Sequence, residues 1–395
     1  MELLYISRYG FIKKNDKIYS LPAYSDFFWQ KYLGVFDTVH VIGIAMKVTA
    51  GTENMSELSD DRVQITILPD NTHPKDFKND RYVKKELESV IKRAEAVLIK
   101  PDSRRGIMAI KLSEKNSIPY MIEMTGDFYS ILSRRKSIIM KLYAPIIYKQ
   151  VLNAIKNCKY GLYVTHSYLQ KKYPIKGKMC GCSDVVIPET QQEVLEKRIQ
   201  RIDKKICGDS YKIGLVGGYH NKNKGIDTAI KALTKVSNEN VEFHILGFGI
   251  EEDRKRWYDF AKLHGVQDKL FFDGSRSSIN DVLTWNDEMD IIILPSRSEG
   301  LPRCIVESLS RACPCIISNV SGMPELVSEH WLHNPEDSKK LADLITELLA
   351  NKDLMKKVAE ENFNHSFEYS KSKLDEKRNL FLEDFKNSAV ARLEK

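Results

Sequence analysis

The chain has little of what marks a membrane-spanning, disordered or low-complexity protein. Its 395 residues contain no apolar run near the roughly 18 residues that a membrane-spanning helix needs. Glycine (20) and proline (13) are too few for a fibrous chain. Residues 1–4 carry no basic cluster, so we expect no secretory signal. With 42% apolar and 29% charged residues, the composition favours a cytoplasmic protein of two domains.

The seven cysteines lack the spacing of a metal or redox site. Cys180 and Cys182 are separated by one residue, as are Cys313 and Cys315, whereas zinc and redox motifs place two residues between the cysteines. Cys315 also leads into two isoleucines, which is typical of a buried strand. We interpret the cysteines as buried and inert, with a metal or redox role as the alternative.

Acidic residues are missing from one long segment, residues 128–183, which holds eleven lysines and arginines. Large apolar side chains lie among the basic ones, and Pro145 predicts that no single helix runs through the segment. This pattern favours contact with an anionic membrane surface or a phosphorylated substrate. The alternative is a solvated basic face over a buried apolar stripe. No nucleic-acid-binding motif accompanies the charge, so we expect no nucleic-acid partner.

Short apolar runs alternate with helical patterns along the chain, which predicts an α/β protein with two doubly wound parallel sheets. The predicted strands are 3–6, 39–44, 63–68, 96–99, 120–123 and 161–164 in the first half, then 211–216, 241–246, 270–272, 291–294 and 315–317. The predicted domains are 1–188 and 211–370, joined by a polar linker at 189–210. We expect the charged helix at 371–395 to pack back on the first domain.

Glycine and lysine residues follow the first predicted strand of the second domain. Gly217 and Gly218 precede Lys222 and Lys224, and a helix follows. Glycine lets the backbone approach a ligand closely, and lysine supplies positive charge for a phosphate. Taken alone, the motif is weak and is better explained by a plain strand-to-helix turn with solvated lysines.

Two glutamates and a glycine–proline turn follow the later strands. Glu299 lies in a loop after the strand at 291–294, and Glu307 lies inside the helix that Pro302 begins. Free N–H groups at the start of that helix suit an anion, and the carboxylates suit sugar hydroxyls. Taken alone, the motif is better explained by a charged residue at a helix start and an ordinary surface glutamate. The third motif, residues 318–326, indicates only a turn by itself.

Together and in this order, the three motifs resemble the donor-binding domain of the retaining glycosyltransferases of family 4. The matching residues are Lys224-Gly225, Pro295-Ser296, Glu299-Gly300, Glu307, Gly322 and Pro324-Glu325. The resemblance covers about residues 211–330, and the nearest likeness is to enzymes of bacterial capsule, O-antigen and exopolysaccharide synthesis. It implies the GT-B fold, in which two Rossmann-like domains face a cleft. The family's arginine before Lys224 is absent, because Tyr219 stands there, and Lys222 is the candidate replacement.

The resemblance also implies roles for individual residues. Glu307 would bind the ribose hydroxyls, and Lys224 would neutralise the diphosphate. Glu299 would be catalytic and would hold the donor sugar with Gly300 and Leu301. In the first domain, Asp127 would face the cleft near the acceptor, with a helix N-cap as the alternative. Two glycines complete the expected donor site, Gly218 after the strand at 211–216 and Gly10 in a loop after the first strand.

The function implied is retaining transfer of a sugar from a nucleoside-diphosphate sugar to a lipid-linked glycan in bacterial surface polysaccharide synthesis. We expect the protein to be cytoplasmic and peripheral at the inner face of the cell membrane. The chain has no Asp-x-Asp motif, so we expect neither a divalent metal nor another cofactor. One alternative is a nucleotide-sugar epimerase or phosphorylase of the same fold. The other is a non-catalytic carbohydrate-binding derivative.

Overall fold

The computed structural model describes residues 1–46, 55–72, 74–133, 137–185, 187–206, 208–237, 240–276 and 278–393. The chain divides into two compact units. The first comprises Met1–Cys182 and Asp375–Lys395, and the second comprises Ser183–Leu374.

The first unit is built on a nine-stranded sheet. Its strands are β1 (Glu2–Lys14), β2 (Lys17–Ser20), β3 (Thr38–Ala45), β4 (Ser56–Leu58), β5 (Val63–Leu68), β6 (Ala96–Ile99), β7 (Tyr120–Met124), β8 (Tyr160–Tyr163) and β9 (Lys178–Gly181). Seven strands are parallel in the order β5-β3-β1-β6-β7-β8-β9, and β2 and β4 extend the far end of β1 as an antiparallel ribbon. Because helices cover the parallel part, β6 is apolar and buried at every position.

The helices of the first unit are α1 (Asp26–Leu33), α2 (Asp80–Ile91), α3 (Arg104–Lys115), α4 (Phe128–Ser133), α5 (Ile138–Ile155) and α6 (Tyr168–Lys172). The last helix of the chain, α14 (Lys371–Leu393), belongs to this unit from Asp375 onward. There the rings of Phe381 and Phe385 lie 5.7 and 5.5 Å from the ring of Tyr160.

Two expectations for the first unit are wrong in detail. The first strand does not end before Gly10, because β1 continues to Lys14 past a register shift between Ile6 and Gly10. Gly10 therefore pairs with Ile44 inside a strand instead of lying in a loop. No single helix runs through residues 128–183, as expected, but the break is not at Pro145, because α5 runs through that residue. Pro145 lies on the exposed side of α5, where water can satisfy the carbonyl group that the proline leaves unpaired.

The second unit has a six-stranded parallel sheet in the order β12-β11-β10-β13-β14-β15. Its strands are β10 (Tyr211–Val216), β11 (Val241–Leu246), β12 (Leu270–Gly274), β13 (Ile291–Leu294), β14 (Cys315–Ser318) and β15 (Leu332–His333). Its helices are α7 (Gln192–Lys204), α8 (Ile226–Leu233), α9 (Glu251–Leu263), α10 (Ile279–Glu288), α11 (Arg303–Ser310), α12 (Ser338–Ala350) and α13 (Lys352–Ser366).

Helix α7, which occupies most of the predicted linker, packs within the second unit. The guanidinium group of Arg198 is buried, and it donates hydrogen bonds to the backbone carbonyl groups of Asn286, Met289 and Arg311. These contacts hold the helix against the segments that flank β13. Among the described residues, no helix combines the length and the apolar character that crossing a bilayer requires.

Candidate functional site

The order of the strands in the second unit reverses between β10 and β13. The connection after β10 leads through α8 to β11 on one side, and the connection after β13 leads through α11 to β14 on the other. Ligands of open α/β sheets bind at such a switch point, outside the carboxyl ends of the strands. The loops 217–225 and 295–302 meet there.

An ion pair joins these two loops. The ammonium group of Lys224 lies 2.8 Å from a carboxylate oxygen of Glu299, and the hydroxyl of Ser296 donates to the same oxygen at 2.8 Å. The stem of Lys224 covers Gly217, where a Cβ would lie 2.9 Å from the lysine side chain. Burial lowers the pKa of Lys224, but its interactions with Cys304 and with the Glu299 carboxylate outweigh burial, so the net shift is upward. The lysine is therefore charged at neutral pH.

Gly225 and Arg297 hold the two loops together. Gly225 has a positive φ of 73°, and a Cβ there would lie 1.9 Å from the carbonyl oxygen of Pro295, so only glycine fits. The guanidinium group of Arg297 donates to the Lys222 carbonyl at 2.8 Å and to the Asp227 carboxylate at 2.6 Å. Its backbone N–H also donates to the carbonyl of Asn223 at 2.8 Å. Arg297 thus fixes the loop that carries Lys224.

Glu307 lies on α11, the helix that follows loop 295–302. It is 4% exposed, and Arg303 one turn earlier donates to it at 2.6 Å. Burial raises the pKa of Glu307, and Arg303 only partly offsets the rise. The sequence predicted that Pro302 begins the helix, but Pro302 is the N-cap and α11 begins one residue later, at Arg303.

The third motif adjoins the second through the backbone. The N–H of Gly322 donates to the carbonyl of Gly300 at 3.2 Å. Gly300 and Leu301 are half-buried at the end of the loop that precedes α11. The structure therefore brings Lys224, Glu299, Gly300 and the loop after β14 to one edge of the second sheet.

The residue that replaces the family's arginine is part of the core. Tyr219 is 2% exposed, its hydroxyl accepts a hydrogen bond from Gly274 N–H at 3.1 Å, and its carbonyl accepts one from Trp257 at 2.7 Å. Gly218 precedes it, where a Cβ would lie 2.7 Å from the His220 ring. Lys222 is exposed in the same loop, and its ammonium group makes no hydrogen bond within the described part of the chain.

In the first unit, the geometry of Asp127 supports the N-cap alternative. Its carboxylate accepts hydrogen bonds from the backbone N–H of Ser130, the hydroxyls of Tyr168 and Tyr173, and the ammonium group of Lys172. Burial raises the pKa of Asp127, but these hydrogen bonds outweigh it and lower the pKa to about 2. A carboxylate this saturated is a poor proton acceptor.

Charged residues that the sequence did not single out line a pocket of about 100 Å³ in the first unit. Lys100 and Asp102 follow β6, and Arg8 lies at the register shift of β1, with its guanidinium 3.1 Å from Asp102. Glu123 on β7 is 2% exposed and lies 3.7 Å from the Lys100 ammonium group. The sequence feature that could have identified this pocket is the pair of charged residues, Lys100 and Asp102, directly after a predicted buried strand.

The described cysteines are all buried, and burial raises the pKa of Cys304 to about 11. Within the described ranges, no group of three or more His, Cys, Asp and Glu side chains is arranged to hold a metal ion.

Comparison with known proteins identifies the family. The family model described as "Glycosyl transferases group 1" matches residues 210–351. The protein CapJ of Staphylococcus aureus is 29% identical over 392 residues, which cover 98% of this chain and 96% of CapJ. Residues 210–351 match the group 1 glycosyltransferases, and the chain is a glycosyltransferase.

Two further comparisons describe this glycosyltransferase. The UDP-Gal:α-D-GlcNAc-diphosphoundecaprenol α-1,3-galactosyltransferase of Escherichia coli is 26% identical over 242 residues, 58% of this chain and 59% of that enzyme. The crystal structure of HepE from Anabaena, in complex with UDP, aligns with a TM-score of 0.68 at 14% identity, covering 97% of this chain and 100% of HepE. The fold is GT-B, which confirms the predicted fold class, and the predicted family is confirmed as group 1.

Proposed function

We propose that this glycosyltransferase moves a sugar from a nucleoside-diphosphate sugar to a glycan acceptor, with retention, in the synthesis of a bacterial surface polysaccharide. The observation that carries the proposal is the Lys224–Glu299 pair at the switch point of the second sheet. The names of the relatives support the biological setting, and the diphosphoundecaprenol in one of them favours a lipid-linked acceptor.

The positions of the side chains suggest how the reaction is assisted. Lys224 and the N-terminus of α11 stabilise the departing diphosphate, because positive charge placed where negative charge develops lowers the barrier. Glu299, held by Lys224 and Ser296, orients the donor sugar. Glu307 accepts hydrogen bonds from the ribose hydroxyls. Lys222, an exposed cation of the same loop, supplies the positive charge that the uncharged Tyr219 lacks.

The first test is nucleotide binding by the wild type and two variants. Calorimetry with UDP, GDP and ADP is expected to reveal one that binds the wild type. Glu307→Ala should weaken that binding at least tenfold, because a hydrogen bond to a charged group contributes about 1.5–3 kcal/mol. Glu299→Ala should instead mainly lower turnover. Unchanged affinity in Glu307→Ala would refute its role.

Product analysis separates the alternatives. With water as the only acceptor, a transferase releases free sugar slowly, whereas an epimerase converts one nucleotide sugar into another. A phosphorylase needs inorganic phosphate. Absence of turnover with every nucleotide sugar would favour the non-catalytic derivative.

We also propose that the first unit docks on an anionic membrane through the outer face of α5. This face carries four exposed apolar residues, Ile138 (73%), Ile139 (72%), Leu142 (68%) and Ile146 (54%). Lys141 and Lys149 are exposed among them. The opposite side of α5 is buried, so the outer apolar side chains have no part in the core. Arg134, Arg135 and Lys136, which belong to the same basic segment, lie outside the described residues.

Sedimentation with vesicles tests this docking. The double variants Ile139→Ser/Leu142→Ser and Lys141→Glu/Lys149→Glu should each bind phosphatidylglycerol vesicles at least tenfold more weakly than the wild type. Each basic residue near such a surface contributes about 1 kcal/mol, and apolar burial adds to it. Leu263→Ser, which removes a 79% exposed side chain from the second unit, is the matched control. Equal sedimentation of all four proteins would overturn the proposal.

A further inference from the structure

The loop after β11 carries two large apolar side chains in exposed positions. Phe248 is 66% exposed and Ile250 is 56% exposed. The loop lies at the carboxyl edge of the second sheet, next to the loop 217–225 that carries Lys224. An aromatic ring placed beside a ligand-binding edge, with no part in the core, calls for an explanation.

The backbone of this loop is fixed against loop 217–225. A Cβ on Gly247 would lie 2.1 Å from the carbonyl oxygen of Gly217, and a Cβ on Gly249 would lie 2.6 Å from the Tyr219 side chain. The N–H of Tyr219 donates to the carbonyl of Phe248 at 2.9 Å. Phe248 is therefore held on a rigid support, so a ligand that contacts its ring does not have to order the loop first.

Charge distinguishes this loop from the phosphate-binding positions. Helix α9 begins directly after it, and its first turn holds Glu251, Glu252 and Asp253. Acidic side chains at a helix N-terminus offset its positive dipole, so a diphosphate is not attracted to this end. A neutral, flat group suits the position better.

The direction of the donor across the sheet follows from the same loops. Lys224 and Glu299 lie between β10 and β13, and the loop after β14 adjoins Gly300 on one side of them. Under the proposed function, the sugar lies with Glu299 and Gly300. The other end of the donor then lies over the loops of β10 and β11, where Phe248 is exposed.

We propose that Phe248 is the stacking surface for the nucleobase of the donor. The inference rests on the proposed function, because it needs a nucleoside diphosphate in the switch-point crevice. Bases stack on aromatic side chains irrespective of their hydrogen-bonding pattern, so the ring contributes affinity without choosing the base.

Calorimetry with UDP, GDP, ADP and inorganic pyrophosphate tests the proposal. Phe248→Ala should lower the affinity of whichever nucleoside diphosphate binds the wild type by about fivefold or more, and it should leave pyrophosphate affinity unchanged. Phe248→Tyr should restore affinity to within about threefold, whereas Phe248→Leu should not, because stacking requires an aromatic face. Leu263→Ala is the control for the loss of an exposed apolar side chain.

The outcomes separate this inference from the proposed function. If no nucleoside diphosphate binds the wild type, the proposed function fails and the inference fails with it. If one binds the wild type and Phe248→Ala equally well, only the stacking role is refuted. If Phe248→Ala weakens nucleotide and pyrophosphate alike, the residue supports the fold of the loop, and the stacking role is again refuted.

Discussion

At the scale of single residues, Arg297 connects the stability of the second unit to its candidate site. Its side chain is 20% exposed and pairs with Asp227 and Glu336, each at 2.6 Å. Arg297→Lys should lower the free energy of unfolding by about 2 kcal/mol, because lysine cannot reproduce the forked contacts with Asp227 and the Lys222 carbonyl. Urea denaturation measures this change, and calorimetry should show weaker nucleotide binding in the same variant.

The control for this prediction is Arg254→Lys. Arg254 lies 3.6 Å from Glu251, and both side chains are largely exposed. Exposed pairs contribute little, so this variant should match the wild type in stability and in nucleotide affinity. If Arg297→Lys also matched the wild type, the connection between the two loops would not depend on the arginine.

Asp127 makes the stability of the first unit depend on acid pH. Its pKa of about 2 in the folded protein lies below the ordinary value of 3.8. The stabilisation is therefore complete above about pH 4 and is lost as the pH falls toward 2, and it amounts to about 2 kcal/mol. Asp127→Asn should be less stable than the wild type by about that amount at pH 6. The difference should shrink below pH 4 in a series of denaturation curves, and a constant difference would contradict the assignment.

At the scale of elements, His244 joins the neighbouring strands β11 and β12. Its ring nitrogens lie 3.0 Å from the Asp273 carboxylate and 3.1 Å from that of Glu242. Burial lowers the pKa of His244, but the two carboxylates outweigh burial and the net shift is upward. Because the folded pKa is raised, the stabilisation is present below about pH 6.5 and is lost as the pH rises through the folded value.

His244→Gln tests this pair of strands. The variant should be less stable than the wild type at pH 6, and the two should converge as the pH rises toward 9. Thermal unfolding followed across this range measures the convergence. Glu251→Gln, which changes an exposed carboxylate of α9, should leave the pH profile of the wild type intact.

The elements that sequence predicted best are parallel strands made mostly of apolar residues. Strands β5, β6, β10, β11 and β13 begin and end at the predicted residues. Strands β6 and β13 are apolar and buried at every position, so their ends are visible in the sequence. Strands β2 and β4 were missed because they are short and partly exposed, so neither contains a continuous buried apolar run. Helix α5 was misjudged because the burial of Ala144, Ile147 and Val151 outweighs the cost of Pro145.

The candidate site was predictable where it depends on the order of strands and not where it depends on distant contacts. Lys224 and Glu299 meet because the strands before their loops are neighbours, which the alternating pattern implies. The burial of Tyr219 depends on Trp257 and Gly274, far along the chain, and the saturation of Asp127 depends on Lys172 and Tyr173. No local pattern in the sequence reports such partners.

At the scale of the whole molecule, the carboxylates and cations of the candidate site determine the expected stereochemistry and metal dependence of the reaction. Retention by double displacement would need a carboxylate close to the anomeric carbon. Glu299 is tied to Lys224 and Ser296, and Glu307 is buried on α11, so neither is free to act as a nucleophile. In the proposed mechanism, lysine charge and the N-terminus of α11 supply the positive charge that a divalent metal supplies elsewhere.

Transfer should therefore proceed without a trapped glycosyl-enzyme, and an α-linked donor should give an α-linked product. The anomeric coupling constant of the product, measured by NMR, decides the stereochemistry, and parallel reactions in EDTA and in magnesium decide the metal dependence. Lys224→Met should lower turnover sharply in both conditions. The described loop 217–225 holds no other cation as buried as Lys224 that could replace the lost charge beside the diphosphate. A β-linked product, or activity lost in EDTA and restored by magnesium, would overturn the proposed mechanism while leaving the match of residues 210–351 to group 1 intact.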